Sequence, residues 1–110
     1  MTTTPKLSWS ALTPRERDAL VAEKVMLIPA YMIANWSPTT SIADAFVVVR
    51  KMRAAGYECD MTTEQSDWTC QFYKLDYSQI FDQTTYTISP SLSEAISKSA
   101  LRACGVEVGE

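Results

Sequence analysis

The chain contains no histidine, and that absence removes several chemistries at once. Without imidazole there is no Ser-His-Asp or Cys-His nucleophilic site and no imidazole metal ligand. Glycine is almost as scarce, occurring only at Gly56, Gly105 and Gly109, so neither a Gly-rich phosphate cradle nor a dinucleotide fingerprint exists here. The three cysteines, Cys59, Cys70 and Cys104, form no CxxC pair, and zinc would need all of them plus carboxylates from scattered positions. Long hydrophobic runs are missing as well. The longest apolar stretch, 27–34, is far too short to span a bilayer and carries Pro29. Residues 1–13 are polar and lack the apolar segment of an export signal, so reduced thiols in a cytosol are expected. Basic charge is in deficit: 10 Lys and Arg stand against 13 Asp and Glu, and the net charge of −3 repels phosphate polymers. The one basic cluster, Arg50, Lys51 and Arg53, reads as cations that suit a helix C-terminus. No cofactor, metal, membrane or nucleic-acid polymer is expected as a partner.

What is present is an ordinary globular mixture. With 110 residues, 46% of them hydrophobic, the chain fits one domain that buries about two-thirds of its unfolded surface. We read residues 1–12 as an N-terminal tail and 13–110 as a single α+β domain.

Helix signals are clear. Thr13-Pro14-Arg15-Glu16 is a capping box with proline at the first helical position, and Leu20, Val21, Val25 and Ile28 recur at helical spacing. This predicts a helix over 14–26, ended by Pro29. Ser41 with Asp44 opens a second helix over 42–55, its inward stripe Ile42, Ala45, Phe46, Val49 and Met52, its stop Gly56. Ser91 with Glu94 opens a third, with Leu92, Ala95, Ile96, Ala100 and Ala103 inward and a stop near Gly105. The stretch 27–36 has neither clean alternation nor helical periodicity; an edge strand, a packed connection and an interface patch all remain open.

Between the second and third helices the pattern changes to period two. Tyr57, Cys59 and Met61 alternate with polar residues, and after a polar turn 63–67 so do Trp68, Cys70 and Phe72. Pairing Met61 with Trp68, Cys59 with Cys70 and Tyr57 with Phe72 puts every apolar side chain on one face. Residues 74–83 read as an irregular return and 84–88 as a third strand. The fold class is therefore α+β, a three- to four-stranded antiparallel sheet packed with three helices in the order α-(β)-α-β-β-β-α, sandwich-like.

Two segments carry a resemblance. Residues 15–26, Arg15-Glu16-Arg17-Asp18-Ala19-Leu20-Val21-Ala22-Glu23-Lys24-Val25-Met26, closely resemble the opening helix of the phage α–β–α (ABA) sandwich family, R-E-x-D-x-L-V-A-E-K-V-M. Residues 36–45 resemble its second signature, Y/W-S-x-x-T/D-I-x-x-A, and the strand 68–72 and helix 90–103 match the remainder. One departure stands out: the family usually carries Gly-Trp directly after the Val-Met step, where this chain has Leu27-Ile28-Pro29. The resemblance covers about 15–104 and implies a small bacteriophage or prophage protein acting in the cytoplasm of the bacterial host. It also implies helices on both sides of the sheet, with the third layer partial or supplied by a second subunit. It carries over no catalytic or binding residue.

The residues themselves leave two readings open: rings outside the regular elements either fold back on the core or form a recognition surface. Large side chains are in surplus outside the regular elements: Tyr31, Met32 and Trp36 in one connection, Tyr73, Tyr77, Phe81 and Tyr86 in or beside another. The expected activity is that of a non-enzymatic accessory protein that sequesters a host molecule. One version is a nucleotide-like signal of antiphage defence, with Tyr31, Trp36, Tyr77 and Tyr86 stacking on bases and Thr39, Thr40 and Ser41 facing phosphate. The alternative is a module that docks on and inhibits a host protein. A carboxylate-and-metal phosphodiesterase built on Asp60, Asp76 and Asp82 comes third, and a homodimer is expected. The pair Cys59 and Cys70 reads as buried thiols, with a disulfide geometrically open to them.

Overall fold

The computed structural model describes residues 7–74 and 85–109. Helix α1, Pro14–Val21, starts as its sequence dictates. Thr13 Oγ1 accepts from the Glu16 amide (3.1 Å) while Glu16 accepts from the Thr13 amide (2.8 Å), with Pro14 at the first position. The helix continues as a wider π-type turn over Ala22–Met26. The predicted span 14–26 is thus one helical segment whose last turn is loosened.

Helix α2, Ile42–Ala54, is capped by Ser41 and stops at Gly56, which supplies the left-handed φ of 98°. Its buried face is Ala45, Val48, Val49 and Met52, whereas Ile42 (44%) and Phe46 (43%) are exposed. The expected stripe is therefore rotated. Two phases of i, i+3, i+4 spacing pass through the valine run, and packing against the sheet and the last helix selects the one without Ile42 and Phe46.

Strands β2, Tyr57–Glu64, and β3, Asp67–Lys74, form the hairpin. Met61 faces Cys70, Cys59 faces Phe72 and Tyr57 faces Lys74, two residues away from the predicted pairing. The turn is only Gln65-Ser66, with Gln65 at φ 57°, so the chain reverses more tightly than its polar stretch suggests. An even shift preserves faces, so the apolar side is the one foreseen, with Cys70 and Phe72 buried and Cys59 and Met61 half-buried. Strand β4, Thr87–Ser89, pairs antiparallel with β3, giving the order β2-β3-β4. The optional strand in 27–36 is not one: Ala30–Met32 is a 3-10 turn.

Helix α3, Leu92–Ala103, is the centre of the molecule. Every residue from Ala95 to Leu101 is buried, including Ser97 and Ser99 at 0% and Lys98 at 8%. One side packs on β3 and β4, and the other meets α2 and α1. Serines allow this close approach, and Ser97 Oγ donates to the Pro38 carbonyl (3.1 Å). Residues 7–12 are no tail. Strand β1, Leu7–Ser8, pairs in parallel with β5, Val108–Gly109, and Trp9 is 3% exposed with the Arg17 guanidinium 5.0 Å and the Lys98 ammonium 5.6 Å from its ring. Arg102 clamps the same end, donating to the carbonyls of Tyr86 and Val108 and to the Thr87 hydroxyl.

Core formation thus joins α1, α2, α3 and the inner face of an antiparallel sheet. The opposite face carries Glu58, Asp60, Thr62, Gln71, Tyr73 and Ile88, with a hydroxyl–hydroxyl bond between Thr62 and Thr69. Among the described residues no helix is long and apolar enough to cross a membrane.

Candidate functional site

Among the described residues, the large hydrophobic side chains with the greatest exposure, Leu27, Tyr31 and Met32, lie in the connection from α1 to α2. It begins at Leu27, which ends the π-type turn with φ 60° and ψ 38°. The Ile28 amide closes the helix end on the Ala22 carbonyl at 2.9 Å. This backbone state suits glycine, and for a bulky L-residue it costs about 1 kcal/mol. Leu27 sits there with 75% of its surface exposed. The family's Gly-Trp step would place glycine at this position, so the departure noted in the sequence falls on a backbone that asks for glycine.

The rest of the connection is pinned from below. Ile33 is buried at 4%, and its carbonyl accepts from the Arg15 guanidinium (3.0 Å). Trp36 is half-buried against the core, and Pro38 is wholly buried. Asp18, 4% exposed on α1, accepts both the amide (3.1 Å) and the hydroxyl (2.6 Å) of Thr39. Asp44 reaches back to the Ser37 amide at 2.8 Å, so its carboxylate holds the loop and the reciprocal half of the predicted capping box is absent. With 33–41 fastened, the segment 27–32 is left standing out: Tyr31 is 84% exposed and Met32 65%.

Between that segment and the end of the helix lies an open cleft of about 560 Å³, lined by Glu23, Leu27, Ile28, Pro29, Ala30 and Tyr31. Its walls are apolar apart from the Glu23 carboxylate, which makes no hydrogen bond or ion pair with a described residue. Such a hollow suits an aliphatic stem bearing a cation, held by the carboxylate and by the face of Tyr31.

Among the described residues, those proposed from sequence are not assembled into one pocket, and of these Tyr31 alone lines the cleft. Trp36 belongs to the packed layer beneath it. Thr39 is buried with both donors on Asp18, so it offers none to phosphate, while Ser41 is engaged as the cap of α2, its Oγ accepting from the Asp44 amide at 3.4 Å. Thr40 is exposed, its amide bonded to the Ser37 carbonyl. Tyr86 lies at the sheet, 41% exposed, its hydroxyl donating to Glu64 at 3.5 Å. Tyr77 and Phe81 lie outside the described residues, as do Asp76 and Asp82 of the phosphodiesterase reading. Sequence reasoning did not single out Glu23 or Leu27 as site residues. The signal for Leu27 was a leucine where a helix exit wants glycine.

Comparison with curated proteins and with solved structures finds no match. A family model matches residues 19–101, the span that holds α2, α3, the three-stranded sheet and the connection just described. The chain belongs to the phage ABA sandwich domain family.

Proposed function

We propose that this phage protein is a non-catalytic docking protein, which grips a host protein through the raised segment 27–32 and the cleft beside it. The observation that carries the reading is Leu27. A large apolar side chain is left in water on a backbone that glycine would adopt without strain, so the fold bears the strain and gains no burial in return. A residue that is strained and unburied in the free protein is accounted for when a partner covers it. Tyr31 and Met32 extend the same surface, one as a rigid aromatic anchor and the other as an adaptable apolar contact. The partner surface has apolar side chains around a lysine or arginine that meets Glu23. On this reading the protein acts in the host cytoplasm, and the non-enzymatic expectation is retained.

Sequestration of a nucleotide-like molecule finds less support. A phosphate needs free N–H or cationic donors, and two carboxylates stand at the hydroxyl-rich helix start, Asp18 taking both Thr39 donors and Asp44 the Ser37 amide.

The test is capture from host extract by immobilised protein, followed by titration calorimetry with the purified host protein. Wild type binds, and Leu27→Gly with Tyr31→Ala binds at least about tenfold more weakly while melting no lower. Undiminished binding by that variant would refute the docking surface. A small molecule released on denaturing protein taken from infected cells would favour sequestration instead, and a homodimer that buries Leu27 would make a second copy the occupant.

A further inference from the structure

The sequence places Cys59 and Cys70 opposite each other across the hairpin, and folding brings them together as diagonal rather than direct partners. Cys59 on β2 and Cys70 on β3 are diagonal neighbours on the inner face, because Cys59 faces Phe72 and Cys70 faces Met61. Their sulfurs are 3.8 Å apart. A disulfide needs about 2 Å between sulfurs, and diagonal strand neighbours stand at the outer limit of its span, so closing the bond draws β2 and β3 together as well as rotating the side chains. Both thiols are free, Cys59 half-buried and Cys70 fully buried.

The two positions are unequal in a way that assigns roles. Cys59 is the half-buried member and so the one a small oxidant reaches, and the S–H hydrogen bond shared with Cys70, aided by Arg53, favours its thiolate against burial and the Asp60 charge. The same hydrogen bond and burial push Cys70 up. Behind Cys70 stands Ser99, 0% exposed, whose hydroxyl has no partner of normal geometry among the described residues. It lies beside the Cys70 sulfur, where it would donate to a thiolate. A fully buried hydroxyl without a partner is unusual and needs a reason. Cys104, in contrast, is exposed at the C-terminal cap of α3, where the helix dipole disfavours a thiolate.

We infer that Cys59 and Cys70 form an oxidisable dithiol, a modification site at which a peroxide converts the pair to an intramolecular disulfide that staples β2 to β3. Cys59, as thiolate, attacks one peroxide oxygen. An S–O bond forms, the O–O bond breaks, and hydroxide leaves to take up a proton as water. Cys70 then gives up its proton to the departing oxygen and attacks the Cys59 sulfenic acid. The S–S bond forms, the S–O bond breaks and a second water leaves, so two thiols lose two electrons to one peroxide. Ser99 stabilises the Cys70 thiolate during the second step. The inference is independent of the docking surface, because the pair lies on the inner face of the sheet, which does not line the cleft.

The test uses the whole chain carrying Cys104→Ser, reduced, freed of reductant and treated with a slight excess of hydrogen peroxide. Intact mass falls by about 2 Da, and peptide mapping recovers Cys59 joined to Cys70. In the Cys70→Ser partner variant Cys59 stops as a sulfenic acid that dimedone traps. Should that buried substitution impair folding, a second measurement still decides. In otherwise unaltered protein, limiting peroxide consumes Cys59 about tenfold faster than Cys104 and leaves Cys104 reduced. Two free thiols after treatment, oxidation to sulfinic acid without a cross-link, or equal rates at Cys59 and Cys104 would each overturn the assignment.

Discussion

Three helical segments in this protein leave through a residue with positive φ, and they do not use the same residue. After α2 the chain turns at Gly56 (φ 98°) and after α3 at Gly105 (φ 88°), both open to solvent with nothing within 4 Å of where a Cβ would sit. After α1 and its π-type turn it leaves at Leu27 (φ 60°). The first two exits are solved for the fold, whereas the third accepts strain and an exposed apolar surface. The start of the same helix shows that its ends are not careless. Thr13, Pro14 and Glu16 make a complete capping box there. The difference teaches where to look for function: at the exit that departs from the economical solution, not at those that follow it.

This contrast can be broken at several points. The largest effect is expected from Asp18→Ala, which strands the buried amide and hydroxyl of Thr39 and frees the far end of the connection. Stability falls by about 2–3 kcal/mol in urea unfolding. Next come Gly56→Ala and Gly105→Ala. With no steric neighbour, their cost is backbone strain alone, about 1 kcal/mol each. Leu27→Gly moves the opposite way, raising stability by up to about 1 kcal/mol and the melting temperature by a few degrees, roughly 4 °C per kcal/mol, while weakening partner binding. If Leu27→Gly is destabilising, the three exits are alike after all. Gln65→Gly relieves a second non-glycine residue of positive φ among the described residues and leaves binding unchanged, which separates strain relief from loss of the docking side chain.

The smallest effect concerns pH at the well-made end of α1. Hydrogen bonds from the Thr13 backbone and then its side chain hold the Glu16 carboxyl below its ordinary range. A carboxyl depressed in the folded state stabilises the protein above its unfolded pKa, and that contribution disappears as pH falls through the folded value. Glu16→Gln, which removes the titrating group, should therefore flatten the urea midpoint between about pH 5 and pH 3, with a small change because Glu16 is fully exposed.

Much of the fold was legible because local signals agreed with it: three capped helix starts, two glycine stops and a period-two hairpin all appear at the foreseen places. What was not legible depended on partners distant in the chain. Ser97, Lys98 and Ser99 read as the wet side of an amphipathic helix, yet neighbours on both sides bury them. Trp9 looked like part of a polar tail because nothing local shows that Arg17 and Lys98 will enclose its ring. The hairpin slipped by two residues because Gln-Ser lacks the glycine or asparagine that usually marks so tight a turn. For the candidate site, the surplus of rings in 27–36 was visible, but its division was not. Trp36 went inward and Tyr31 outward, and only the anchoring of Ile33 and Thr39 decides which.

The central place of α3 has a consequence for how the protein comes into being. Translation delivers the middle of this molecule after nearly everything that surrounds it. Until residues 92–103 emerge, α2 and the inner face of the hairpin have no common filling. Before then the apolar faces of α2 and the hairpin lack the helix that covers them, and that interval is when a chaperone would find most to hold.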